Sequence, residues 1–141
     1  KILKSLKSGL AAETFSKMVA ALGGPIDFLE NRSNYFSRAP VVEDIYTKVE
    51  GFVEDIDTRA IGLAVVEMGG GRKKIEDKID YSVGFDNLLS VSSYVDINIP
   101  IGTIHAPNQD ILNYEKERLI KAYKIAERPI ESQHVIIECV T

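Results

Sequence analysis

Apolar residues in the first forty positions recur at helical spacing. Residues 1–8 interleave lysines with apolar side chains, and residues 10–22 carry an apolar stripe at i, i+4, i+7, i+8 and i+11. The glycines and proline at 23–25 end the second helix, because glycine accepts a left-handed cap and proline cannot continue the ladder. We expect a short helix over residues 25–30. The polar, turn-rich segment 31–40 is predicted to be a domain boundary.

From residue 41 onward the pattern becomes that of short strands around one helix. Segments 41–49 and 52–56 are predicted to be two strands that turn on each other at residues 50–51. One of the polar residues at 57–58 is expected to cap a helix over residues 59–68. This region therefore predicts a strand pair followed directly by a helix.

A glycine, Gly62, lies inside the helix predicted over residues 59–68. Glycine in a helix interior costs roughly 1 kcal/mol relative to alanine. We therefore expect Gly62 to permit close packing of this helix on a sheet. The apolar face of the helix has four residues at helical spacing: Ile61, Ala64, Val65 and Met68.

The remainder of the chain predicts further strands and one long helix. Residues 79–85 form a short strand, and residues 95–101 alternate apolar and polar positions as a half-buried strand does, with a further short strand at 103–106. Within this run a proline predicts an edge or a bend. Residues 108–127 predict the last helix and residues 135–140 a closing strand. We expect Leu112, Leu119, Tyr123 and Ala126 to face the core from the helix.

These elements together predict an α+β fold with a mixed or antiparallel sheet, preceded by short helices. The predicted division is a helical lead-in over residues 1–39 and a second domain over residues 40–141. A chain of 141 residues is long enough for a core of ordinary size. It begins with lysine rather than methionine, which fits a fragment, a processed chain or a trimmed numbering.

Composition and charge narrow the classes of partner. The net charge of -4 and the absence of a concentrated basic segment argue against a nucleic-acid partner. Nothing in the sequence reaches the run of about 18 apolar residues that a membrane span needs, so no membrane partner is predicted. The single cysteine, Cys139, excludes an internal disulfide. A cytoplasmic location is the expectation.

The triple glycine at 69–71, followed by Arg72, Lys73 and Lys74, is the first candidate for chemistry. Glycine exposes backbone N–H groups, and cations beside it could hold a phosphate. However, phosphate cradles of the Walker and Rossmann types follow a strand and open a helix, whereas this loop follows a helix. Two interpretations stay open, a helix C-cap with a solvated loop or a mobile closure loop between domains.

The other polar candidates have simpler explanations. His105 ends a strand, where structural hydrogen bonding accounts for it, and His134 lies in a polar turn. Cys139 alternates in phase with apolar neighbours, which predicts a buried position. Helix capping or turn formation accounts for three aspartates: Asp55, Asp57 and Asp80. We therefore predict neither a catalytic residue nor a metal site in this chain.

Five segments of the chain resemble segments of one known enzyme family, and they follow each other in the order expected for that family. These segments are Gly9–Pro25, Asp57–Gly62, Met68–Arg72, Asp80–Phe85 and Ile104–Ala106. Together they resemble the C-terminal part of the thymidine phosphorylases and related pyrimidine nucleoside phosphorylases. Beyond residue 127 the resemblance fades, so the end of the chain depends on pattern alone.

The resemblance implies a role within a larger enzyme. Members of this family cleave thymidine or uridine with phosphate, which is a co-substrate, and no other cofactor is implied. They are homodimers whose helical and α/β domains close around the active site. The implied fold of the C-terminal part is an α/β-hammerhead. The family's catalytic and substrate-binding motifs lie upstream of the matched region, so the isolated chain is expected to be inactive and to need the upstream domains as partners.

The resemblance also selects a loop. Residues 69–78 resemble the family's mobile C-terminal loop, which is associated with the closed form. Gly69, Gly70, Gly71 and Arg72 are therefore the closure-loop candidates, with Arg72 as the polar anchor. The segment at residues 50–60 most resembles bacterial thymidine phosphorylases.

Three alternatives remain open at this point. The chain could be the tail of a pyrimidine nucleoside phosphorylase of broader specificity. It could be a carrier-like binding module, although the predicted hairpin region has no lysine between Lys78 and Lys116 that could be modified. It could also be a structural piece that only supports dimerisation.

Overall fold

The computed structural model describes residues 1–130, which fall into two compact units. The first unit comprises residues 1–37, and the second begins at Arg38. The assignment of residues 1–39 and 40–141 to two domains of a larger enzyme stays a prediction.

Three helices form the first unit: α1 at Ile2–Lys7, α2 at Leu10–Ala21 and α3 at Arg32–Tyr35. The helices predicted over residues 1–8 and 10–22 are thus confirmed. Gly9 separates them with φ of 80°, a conformation that suits glycine. None of the residues in these three helices is buried.

The short helix predicted over residues 25–30 is wrong, because residues 26–30 form turns and α3 follows them. The carboxylate of Asp27 accepts hydrogen bonds from Asn31 Nδ2 at 2.7 Å and from the Tyr35 hydroxyl at 2.5 Å. These two bonds fix the turn against α3. The ring of Phe28 packs beside the rings of Phe15 and Tyr35, with centroids 6.1 and 6.3 Å away.

The second unit contains six strands and two helices in its described part. The strands are β1 at Val41–Tyr46, β2 at Gly51–Ile56, β3 at Gly84–Asp86, β4 at Tyr94–Val95, β5 at Pro100–Ala106 and β6 at Tyr123–Ala126. The helices are α4 at Thr58–Val65, continued by a π-helical turn at Val66–Gly70, and α5 at Gln109–Ala122.

The strands form two antiparallel sheets with the orders β1-β5-β3 and β4-β2-β6. The predicted pairing of segments 41–49 and 52–56 is therefore wrong, since β1 and β2 lie in different sheets. Gly51 explains the error. It is needed because β6 approaches the backbone of β2 closely there, and not because the chain makes a hairpin turn. A Cβ added at Gly51 would lie 2.4 Å from the carbonyl oxygen of Ala126 on β6.

The strand predicted over residues 95–101 is interrupted, because residues 96–99 form a turn between β4 and β5. Oδ1 of Asp96 accepts hydrogen bonds from the amides of Asn98 at 2.7 Å and Ile99 at 3.1 Å. The side chain of Ile97 is 67% exposed as a result. Pro100 begins β5 next to an irregularity in the β1–β5 register, consistent with the predicted bend.

The last helix is shorter than the predicted 108–127. It begins after Asn108, whose Oδ1 accepts the amide of Ile111 at 2.9 Å, and it ends at Ala122. The chain then turns into β6, where Tyr123 is buried and its hydroxyl donates to the carbonyl of Leu89 at 2.9 Å. Pairing of β6 with β2 therefore overrides the helical pattern. The strand predicted over residues 79–85 is also reduced, to β3.

The core of the second unit lies where the two sheets and α5 meet. Helix α5 packs on β5 and β1, and α4 packs against α5. The residues at the centre of this core are aliphatic and fully buried: Ile45, Val53, Val95, Ile101, Ile104, Leu112 and Leu119. The predicted α+β class with antiparallel sheets is confirmed.

The predicted strand at 135–140, together with His134 and Cys139, lies outside residues 1–130. Within those residues, no helix has the length and apolar content needed to cross a membrane.

Candidate functional site

Helix α4 carries the glycine loop, and its start is fixed by Asp57. Oδ1 of Asp57 accepts the amide of Ala60 at 2.8 Å, so Asp57 rather than Thr58 is the cap. The apolar face of α4 is buried through Ala64, and Met68 is buried in the turn that follows. Gly62 lies on the exposed face, and a Cβ added there would meet no atom within 4 Å. The expectation that Gly62 permits close packing is therefore wrong.

The first glycines of the loop end the helix, as the sequence predicted. After Val65 the helix widens into the π-helical turn, and Gly69 takes φ of 101°, which L residues rarely adopt. The carbonyl of Gly69 accepts the amide of Asp80 at 2.9 Å and so closes the loop at its two ends. Gly71 is required for a different reason, since a Cβ there would lie 2.7 Å from Cγ2 of Val66.

The interior of the loop binds a carboxylate of its own. Oδ2 of Asp77 accepts the backbone amides of Lys73 at 2.9 Å and Lys74 at 2.8 Å. An anion that approached from outside would need these same amides, so the phosphate-cradle interpretation finds no support here. The side chains of Arg72, Lys73 and Lys74 are exposed. Contact with an anionic partner would therefore be made by these side chains and not by the backbone.

The base of the loop is tied to α5 by one guanidinium. Nη1 of Arg118 lies 2.5 Å from Oε2 of Glu67, in the π-helical turn, and 3.1 Å from Oε1 of Glu115. The guanidinium carbon of Arg118 also lies 5.6 Å from the ring centroid of Tyr114. Because Glu67 precedes Gly69 by two residues, these contacts hold the start of the loop against the core helix.

Glu115 is the most unusual ionisable group at this site. Its side chain is 2% exposed, and Oε2 has no hydrogen-bond partner among the described residues. Burial raises the pKa of Glu115 above its ordinary value, and the charge of Arg118 opposes that shift. The charge of Glu67 also raises the pKa, whereas the charge of Lys73 on the loop lowers it.

No role was predicted from the sequence for Glu67, Glu115 or Arg118. A signal was nevertheless present for one of them. The buried residues of α5 are Leu112, Glu115, Leu119 and Ala122, which repeat at intervals of three and four. Glu115 thus occupies a core position of the amphipathic stripe, where a carboxylate is rare unless it is paired.

The other polar candidates are used locally and are not brought together. Oδ1 of Asp55 accepts the amide of Ile56, and Oδ1 of Asp80 accepts both the amide and the hydroxyl of Ser82, at 2.9 and 2.6 Å. The hydrogen bonds from Ser82 lower the pKa of Asp80. His105 lies within β5, opposite Val42 and Gly84. Across the described chain, no group of three or more His, Cys, Asp and Glu residues could hold a metal ion.

A groove of about 750 Å³ lies elsewhere in the second unit. Residues of β1, the segment that follows it and α5 line this groove, together with Ile97, and no residue of the glycine loop contributes to it. In the groove Lys116 Nζ pairs with Glu43 Oε1 at 2.6 Å, and the Thr103 hydroxyl donates to Asp44 Oδ1 at 2.6 Å. Two charged residues of its lining, Asp44 and Lys48, take part in none of the ion pairs among residues 1–130.

The family model described as pyrimidine nucleoside phosphorylase C-terminal domain matches residues 52–126, more than half of the 141 residues. The matched range extends from β2 to the end of β6. It includes the whole glycine loop and the ion-pair network of Glu67, Glu115 and Arg118.

Proposed function

This chain belongs to the pyrimidine nucleoside phosphorylase family through its C-terminal domain, and we propose that it is the C-terminal part of a thymidine phosphorylase. The family comprises pentosyltransferases that act on nucleosides. In the proposed reaction, phosphate cleaves thymidine to thymine and 2-deoxyribose 1-phosphate. The match of the C-terminal domain model to residues 52–126 is the observation that carries this proposal.

The proposal assigns the bond-breaking chemistry to domains upstream of this chain. A nucleophile or general base needs a partner within hydrogen-bonding distance. Among residues 1–130, Asp55, Asp57 and Asp80 are each engaged in local backbone or hydroxyl bonds. The isolated chain is accordingly proposed to be inactive, with the upstream domains of the same enzyme as its partners.

In this proposal the glycine loop serves domain closure. Gly69, Gly70, Gly71 and Arg72 form the closure segment, and Arg72 is its polar anchor. Two features support this role. The base of the loop is held by Arg118 and by the Asp80–Gly69 hydrogen bond, and the cations beyond it are exposed to a partner. A held base with exposed cations is suited to contact between domains.

Preference for thymidine over uridine is part of the proposal. It is supported by the likeness of residues 50–60 to bacterial thymidine phosphorylases. We further propose that the complete enzyme is a homodimer in the cytoplasm. It uses phosphate as co-substrate and no further cofactor. The tail of a broader-specificity pyrimidine nucleoside phosphorylase is the alternative that the same family match permits.

Phosphate-dependent release of thymine from thymidine tests the proposal directly. The assay is run on this chain and on the complete open reading frame that encodes it, with and without phosphate and with uridine as competitor. Activity in the longer product alone supports the proposed division of labour. Activity in the isolated chain would contradict that division, and faster phosphorolysis of uridine would select the broader-specificity alternative.

A matched pair of variants tests the loop. In the complete enzyme, Arg72→Ala should reduce kcat/KM if Arg72 is the anchor in the closed form. Lys74→Ala removes a cation from the same exposed loop and serves as the control, with kinetics expected to stay near those of the parent. Unchanged kinetics in Arg72→Ala would remove Arg72 from the proposed closure contact.

A further inference from the structure

The sheet with the order β4-β2-β6 has an open edge at β4 among residues 1–130. Val95 pairs with Gly51 of β2, and the carbonyl of Ser93 accepts the amide of Val53 at 2.9 Å. Because the hydrogen-bonding direction alternates along an antiparallel strand, the amide and carbonyl of Tyr94 point away from β2. An open edge of this kind is a template for a further strand.

Partly exposed apolar side chains lie in β4 and next to it in the chain. Val91 is 39% exposed, Tyr94 is 40% exposed and Ile97 is 67% exposed. None of the three packs in the core cluster of the second unit. Apolar side chains beside an open strand edge indicate a surface that another segment covers.

The chain itself returns to this edge at residue 130. It leaves β6, on the opposite side of β2, at Ala126, and four residues later the carbonyl of Ile130 accepts the hydroxyl of Ser92 at 3.3 Å. Ser92 lies two residues before β4 and has φ of 71°, which is uncommon for a residue other than glycine. The bond to Ser92 therefore places the start of residues 131–141 beside β4 and not beside β6.

We propose that the open edge of β4 is the docking surface for residues 135–140 of the same chain. The β-branched and apolar residues of this segment are typical of a strand. Tyr94 lies at most about 7 Å from Ser92, and the chain from Ile130 to Val135 can span about 16 Å, so the segment can reach the edge. The inference goes beyond the proposed function and does not depend on it.

The composition and the tether of the segment both favour an occupant from the same chain. Apart from Glu138, residues 135–140 are all apolar, and an uncovered strand of this composition promotes aggregation. Docking on β4 covers the segment and the open edge together. A strand from another molecule would have to compete with a segment that is tethered beside the edge and has a high effective concentration there.

Hydrogen exchange at the amide of Tyr94 tests the docking in the whole chain. This amide points to the open edge, so it should exchange slowly if the segment pairs there. Ile137→Pro removes a donor from the segment and should speed the exchange several-fold, while the amide of Ile104 in β5 keeps the rate of the parent. Thr141→Pro places the same residue beyond the segment and is the matched control. Fast exchange at Tyr94 in the parent, or equal effects of the two prolines, would overturn the proposal.

A spin label tests the same contact without a proline. Cys139 is the single cysteine, so a chain with Cys139→Ser and Glu138→Cys accepts a nitroxide at one position. Glu138 is chosen because it is the charged residue of the segment and its replacement removes no apolar contact. The nitroxide should broaden the amide signals of residues 91–97 most strongly. Equal or stronger broadening along β1, whose outer edge is also open among residues 1–130, would overturn the proposal.

A mixed sample distinguishes the same chain from a second copy. The spin-labelled chain without NMR isotopes is mixed with an isotope-labelled chain that carries no nitroxide. We expect no broadening of residues 91–97 in this sample, and broadening there would assign the edge to a second copy and overturn the proposal. None of these measurements involves a nucleoside, so a failure here leaves the phosphorylase proposal intact, and the reverse also holds.

Discussion

Arg118 and Glu67 form an ion pair of 2.5 Å between Nη1 and Oε2, across 51 positions of the sequence. The pair joins α5 to the π-helical turn at Val66–Gly70 and so fixes the base of the glycine loop. Because the same guanidinium also contacts the buried carboxylate of Glu115, its loss affects both the loop and the core.

Replacement of Arg118 with methionine should therefore be strongly destabilising. The change leaves Glu115 buried without its cation, and removing one partner of a buried ion pair costs about 3 kcal/mol. We expect a loss of that order in the free energy of unfolding at neutral pH, measured by chemical denaturation. The loss should shrink at acidic pH, because protonation removes the uncompensated charge of Glu115.

The pair between Lys121 and Glu117 provides the control for this variant. It lies on the same helix, its atoms are 4.0 Å apart, and both side chains are more than three-quarters exposed. Exposed pairs of this kind contribute little, so Lys121→Met should unfold at nearly the same denaturant concentration as the parent. Equal losses in the two variants would mean that the helix as a whole, and not the Arg118 network, sets the effect.

Glu115 should also make the stability of the chain depend on pH. Burial raises the pKa of Glu115 in the folded state, so the folded state binds this proton more tightly than the unfolded state does. The stability that this group contributes is full below the ordinary value of 4.5 and is lost as pH rises above it. Glu115→Gln cannot titrate and should escape this loss.

The measurement for Glu115 is a difference between two curves. Denaturation of the parent and of Glu115→Gln at several pH values should give stabilities that diverge in favour of the variant as pH increases from 4.5. Subtracting the two curves cancels the contributions of the other carboxylates to the pH dependence of stability. One of these is Asp80, whose pKa is lowered and not raised. A constant difference at every pH would show that Glu115 ionises as freely as in an unfolded chain.

Local patterns predicted those elements whose formation depends on local contacts. The stripe over residues 10–22 and the aspartate cap before α4 gave helices that the structure confirms. Pairings between strands that are distant in the sequence were not predicted correctly from local patterns. Gly51 resembles a turn residue in sequence, yet it is needed because β6 approaches β2 closely at that point. That requirement comes from tertiary packing, which no local pattern records.

The sequence predicted the end of the helix at the glycines but not the charged network beneath them. The glycines were correctly interpreted as ending a helix, because left-handed backbone favours glycine in any context. The network beneath them depends on two helices that meet only in the fold. Glu115 did carry a readable signal, a carboxylate in phase with Leu112 and Leu119, but Glu67, the other carboxylate that contacts Arg118, lies far away in the sequence.

The loop interior should depend on Asp77. Its Oδ2 accepts two backbone amides, those of Lys73 and Lys74, and Asp77→Ala removes the acceptor for both. We expect these amides to exchange with solvent several-fold faster, while global stability changes little because the loop is at the surface. Glu76→Ala changes the adjacent exposed carboxylate and should leave both exchange rates as they are. Faster exchange in Glu76→Ala alone would contradict the assignment of Asp77 as the acceptor.

Alanine at two nearby glycines should have effects of opposite sign. At Gly62 the backbone is helical, the position is exposed, and an added Cβ meets no atom within 4 Å. Gly62→Ala should therefore raise the free energy of unfolding by up to about 1 kcal/mol, mainly because alanine restricts the unfolded chain. At Gly69 the nearest atom to an added Cβ is 4.0 Å away, so space is again available, but φ is 101°. Gly69→Ala should lower the free energy of unfolding by about 1–2 kcal/mol through backbone strain alone.

Thermal or denaturant unfolding of the Gly62→Ala and Gly69→Ala variants measures this difference directly. Changes of the same sign would mean that backbone conformation does not control stability at these positions.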